Sequence, residues 1–86
     1  MAIKVDVAKI SIAYTDIDSG YQISVRSADR DYLANEVAAK LCDGIGNGGG
    51  HMDKAGGVIS RDCISELYAG WEIADIIKER MEKIME

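Results

Sequence analysis

Apolar and polar residues alternate along the first quarter of the chain, but the phase slips once. Val5 and Val7 share one phase, and Ile10, Ile12 and Tyr14 share the other, which predicts two short strands or a bulge near Ala8. Asp16, Asp18, Ser19 and Gly20 then supply a turn. After it Tyr21, Ile23 and Val25 alternate with Gln22, Ser24 and Arg26. Two alternating runs around a short turn predict an antiparallel hairpin, one face on a core and the other open to solvent or a ligand.

From Asp29 to Asp43 the period lengthens. Leu33, Val37, Ala38 and Leu41 recur at helical spacing, with Asp29 or Asp31 as caps and Gly44 as a stop. A glycine-rich loop follows, and then the β-branched stretch Ala55 to Ser60 reads as one more strand. Beyond a cap at Asp62 or Ser65, a single long helix is expected to reach the C-terminus. Leu67, Gly70, Trp71, Ala74, Ile77, Met81 and Ile84 form its apolar stripe, with Trp71 as a core anchor. The expected fold is one α/β domain over residues 1–86. It has a small mixed or partly antiparallel sheet with an N-terminal hairpin, covered by two helices, and a glycine-rich loop after the first helix.

Composition narrows the function. The chain has 86 residues, is 48% hydrophobic and 29% charged, and carries a net charge of -5. An acidic total argues against a protein that grips long nucleic acid by counterion release, and leaves room for a small, focused anion site. No apolar run approaches the roughly 18–20 residues that span a bilayer, so no membrane partner is expected. Lys4, Asp6 and Lys9 interrupt what would be the core of a signal peptide, and a cytoplasmic location is expected. Cys42 and Cys63, each among apolar neighbours, read as buried free thiols.

Seven of the nine glycines fall between Gly44 and Gly57, around the only histidine, His51. Gly44, Gly46 and Gly49 match the spacing of a dinucleotide-binding fingerprint, but they follow a helix where that fingerprint follows a strand. A triphosphate-binding loop needs Ser or Thr after its lysine, and Lys54 precedes Ala55. Cys42, His51 and Cys63 have irregular spacing for a metal and no defined fourth ligand. Two readings stay open. One is an anion cradle in which the amides of Gly48, Gly49 and Gly50 point into one concavity. His51 and Lys54 would stand at its rim, and Arg26 would reach it from the preceding strand. The other is a tight loop bearing a solvated histidine and an exposed lysine.

Residues 21 to 60 resemble the accessory C-terminal domain of the DHH phosphoesterase superfamily. The resemblance rests on the strand Ile23-Ser24-Val25-Arg26-Ser27, the helix with Val37 and Ala38, and the run Asn47-Gly48-Gly49-Gly50-His51 closed by Ala55 and Gly56. Asn47 stands where the family has a first glycine, and Lys54 where it has alanine. The resemblance implies a domain that holds substrate without cutting it. Manganese or magnesium would sit in a separate catalytic DHH domain, with no catalytic residue and no cofactor in this chain. It implies that Arg26, Gly48, Gly49, Gly50 and His51 hold the phosphate of a single-stranded nucleic-acid end, a short oligonucleotide or a cyclic dinucleotide, with Ser24, Ser27 and Lys54 as lesser contacts. Two other functions compete. One is a stand-alone regulatory module that pairs with itself or another protein through its C-terminal helix. The other is a tRNA-binding domain like that of alanyl-tRNA synthetase.

Overall fold

The computed structural model describes residues 3–7 and 9–86, with the side chains of Ile3 and Val7 left aside. The expected bulge near Ala8 lies outside the described residues. Strands β1 (Ile3–Val7), β2 (Ile10–Ile17) and β3 (Gly20–Ser27) form a meander, as the alternation predicts. Helix α1 (Ala34–Cys42) leads to β4 (Gly46–Gly50) and β5 (Lys54–Ser60), and helices α2 (Arg61–Leu67) and α3 (Ile73–Ile84) close the chain. The five strands make one sheet in the order β1-β2-β3-β5-β4, and every neighbouring pair is antiparallel.

The helices cover one face of this sheet. Ile10, Ile12, Ile23, Val25 and Ile59 project from that face and are at most 1% exposed, against Val37, Ala38 and Leu41 of α1 and Ile76, Ile77 and Met81 of α3. The intervening residues Ser24, Arg26, Lys54 and Val58 are exposed on the other face. An antiparallel sheet tolerates this division because alternation sends successive side chains to opposite sides.

Four expectations are corrected. The glycine stretch is not a loop: it is the edge strand β4, paired with β5 from Gly46↔Ile59 to Gly50↔Ala55. Its hydrogen bonds hold backbone to backbone, so the strand forms without side-chain propensity. Neither Asp29 nor Asp31 caps α1. Leu33 occupies that position without a side-chain bond, and the Ala34 amide instead donates to the Met52 carbonyl at 2.7 Å. The C-terminal segment is two helices, making three among the described residues. Ser60 caps α2, and the chain turns at Gly70, whose φ of 84° is left-handed backbone that favours glycine. That break rotates the stripe, so Leu67 (62%) and Trp71 (49%) are exposed and Trp71 anchors no core.

Cys42 is buried and Cys63 half-buried, and both are free. Burial pushes the Cys42 thiol from 9.0 up to about 11, with the nearby Arg80 guanidinium pulling weakly the other way. The folded chain therefore keeps a proton that the unfolded chain has lost between those two values. Stability from this group is complete below pH 9 and lost by about pH 11, an upper limit of about 3 kcal/mol. Urea unfolding between pH 8 and 11 should show a shallower decline for Cys42→Ala than for the native chain. Equal slopes would remove Cys42 as the cause.

Candidate nucleic-acid interface

The open face is organised by register. One row of cross-strand partners runs across all five strands as Lys4, Ala13, Ser24, Gly56 and Gly49. The adjacent row runs Asp6, Ser11, Arg26 and Lys54. His51 extends that second row, because its amide donates to the Lys54 carbonyl at 2.9 Å. Cross-strand partners share a face, so these residues form one surface. Its floor has no side chain larger than serine from Ser11 and Ala13 to Gly49, and its rim carries Lys4, Arg26, Lys54 and His51.

A hollow of about 330 Å³ lies within this surface, lined by Lys4, Ser11, Ala13, Ser24 and Arg26. Arg26 is exposed, and among the described residues its guanidinium has no ion pair and no hydrogen bond. Its five donors are therefore available to an oxyanion. His51 and Lys54 do not line the hollow. Two strand spacings separate the His51 backbone from that of Arg26, about 10 Å, a gap two long side chains can bridge around one anion.

The glycines divide by role. The His51–Lys54 hydrogen bond and the bond from the Ser60 amide to the Ile45 carbonyl (2.6 Å) fix the parity of the β4 ladder. Odd-numbered residues face β5 with both their N–H and C=O, and even-numbered residues turn theirs to the free edge. The Gly49 amide is thus committed to the sheet, whereas those of Gly48 and Gly50 point outward beside their own carbonyls. Donors and acceptors alternate along such an edge, and the concave nest of successive amides expected over Gly48 to Gly50 does not form.

Gly48 has a structural duty: a Cβ there would lie 2.4 Å from the Ala38 carbonyl oxygen, so α1 rides directly on the bare strand. At Gly49 nothing lies within 4 Å of a Cβ, and its φ is unremarkable. Neither packing nor backbone geometry requires glycine at that open-face position.

Ser27 also departs from expectation. It belongs to the helix side of β3, where its hydroxyl donates to the Tyr32 carbonyl and accepts from the Asp29 amide at 3.1 Å. It ties down the connection to α1 and faces away from the open surface. Ser24, by contrast, stands on the open face one row from Arg26. Lys4, Ser11 and Ala13 were not anticipated as site residues. For Ser11 and Ala13 the signal was the complement of the apolar alternation: small side chains fill the alternate positions between Ile10, Ile12 and Tyr14.

Acidic groups limit the positive field. Asp6 ends the Arg26 row, and Asp53 lies in the turn between His51 and Lys54. Among the described residues no three His, Cys, Asp or Glu side chains gather to hold a metal ion. No helix among the described residues is long and apolar enough to cross a membrane. Comparison of the chain with protein families, with curated proteins and with solved structures finds no match.

Proposed function

We propose that this chain is the substrate-binding domain of a cytoplasmic DHH-type phosphoesterase, and that its open sheet face receives the phosphate-bearing end of a short single-stranded oligonucleotide or a cyclic dinucleotide. The supporting observation is Arg26: a guanidinium with no ion pair among the described residues, standing over a floor of serine, alanine and glycine beside its cross-strand partner Lys54. Small floor residues let a phosphate and its sugar approach the sheet closely, and the rim supplies charge-assisted donors. The resemblance in the Ile23–Ser27 and Asn47–His51 motifs points the same way. Hydrolysis would belong to a separate metal-bearing domain, against which this face would close.

Titration calorimetry with a trinucleotide bearing a 5′-phosphate, and with its 5′-hydroxyl counterpart, tests this reading. The phosphorylated form should bind about tenfold more tightly, with an advantage that shrinks as salt rises. Equal affinities, or no binding of either, would count decisively against it.

One observation favours the stand-alone interaction module: Leu67 and Trp71 are exposed at the junction of α2 and α3. The stripe of α3 itself is not free to pair, because Ile77 and Met81 are 0% exposed in the chain's own core. A dimer by light scattering that ignores phosphorylated ligands would support that module.

A further inference from the structure

We infer that Lys4 is a second anion contact, so that the hollow takes two phosphate groups of one ligand, one at Arg26 and one at Lys4. This rests on the reading of the open face as a phosphate receptor. Lys4 and Arg26 line the same hollow from opposite sides, two strands and one row apart, which sets their backbones about 12 Å apart. Among the described residues only Ser11, Ala13 and Ser24 stand between them, and none is large enough to bridge the gap or to neutralise either cation. Among the described residues neither cation forms an ion pair. Each side chain spans several ångströms from its backbone, so the two heads can close on groups separated by one nucleotide step.

The charges around them set a direction. Asp6 faces the open side beside Lys4, at the β1 end of the Arg26 row. It repels an anion that would continue straight along that row from Arg26. The diagonal towards Lys4 is the path on which the second phosphate meets a cation, and it carries the ligand across β2 towards β1, away from the β4 edge. A ligand with one phosphate fills the Arg26 end and gains little from Lys4.

The probes are a 5′-mononucleotide with one phosphate and a 5′-phosphorylated dinucleotide with two, each titrated into the native chain, Lys4→Met, Asp6→Asn and Arg26→Ala. The native chain should prefer the dinucleotide by about tenfold or more. Lys4→Met should reduce that preference to about twofold while lowering mononucleotide affinity by less than about twofold, and Asp6→Asn should strengthen dinucleotide binding about threefold. The gain in Asp6→Asn cannot come from misfolding. If Lys4→Met keeps the full preference while Arg26→Ala loses both ligands, the second contact is refuted and the phosphate reading stands. If the native chain binds neither probe, the phosphate reading fails and this inference falls with it.

Discussion

Replacing Arg26 with alanine is expected to weaken binding of a 5′-phosphorylated oligonucleotide by about 10- to 100-fold, the range of one lost charge-assisted contact. The fold should not notice. Arg26 is exposed on the open face and, among the described residues, its side chain makes no hydrogen bond or ion pair, so its loss should change stability by no more than about 0.5 kcal/mol. Arg26→Lys should fall between, since an ammonium keeps the charge but cannot form the bidentate fork. Calorimetric affinity measured beside a urea melt separates these effects. A variant that unfolds more easily in proportion to its lost affinity would show that Arg26 supports the sheet and does not hold ligand.

The second large effect divides two adjacent glycines. Gly48→Ala should cost about 3 kcal/mol or more, because the new methyl would sit 2.4 Å from the Ala38 carbonyl oxygen and 2.8 Å from its carbon. Both are backbone atoms of α1, so relief requires lifting the helix from the sheet. A chain of this length has a total stability of roughly 4–13 kcal/mol, and such a loss is a large share of it. Gly49→Ala meets nothing within 4 Å and should leave stability within about 1 kcal/mol, on the stabilising side. Its methyl would stand beside Gly56 on the open face, two strands from Ser24 and outside the hollow at Arg26, so phosphate affinity should be unchanged. Equal stability losses in the two variants would show that the close approach of α1 does not decide why Gly48 is bare.

The meander was legible because Ile10, Ile12, Tyr14, Ile23 and Val25 alternate with small or polar residues, and period two survives without knowledge of the partner strand. The strand β4 was not legible for the converse reason. Gly46 to Gly50 have almost no side chains, so no pattern exists to be read, and only the ladder to β5 defines the strand. The break between α2 and α3 escaped because one glycine inside a helical period is tolerated, and Leu67 and Trp71 fit the stripe until Gly70 rotates it. The site was half visible. Arg26 and Ser24 follow from strand alternation, and the same parity already sets Ser27 with Ile23 and Val25 on the helix side. Lys4 lay too far along the chain to be linked to Arg26 without the register of β1 against β2 and of β2 against β3.

The bare strand beneath α1 also bears on how the molecule opens. Glycine loses more freedom on ordering than any other residue, roughly 0.5–1 kcal/mol beyond alanine at each position. The run from Gly46 to Gly57 has little side-chain area with which to recover that loss, so the β4–β5 hairpin depends on the helix that lies over it. Amide exchange in that hairpin should therefore follow the breathing of α1, with protection rising and vanishing in both segments as one cooperative unit.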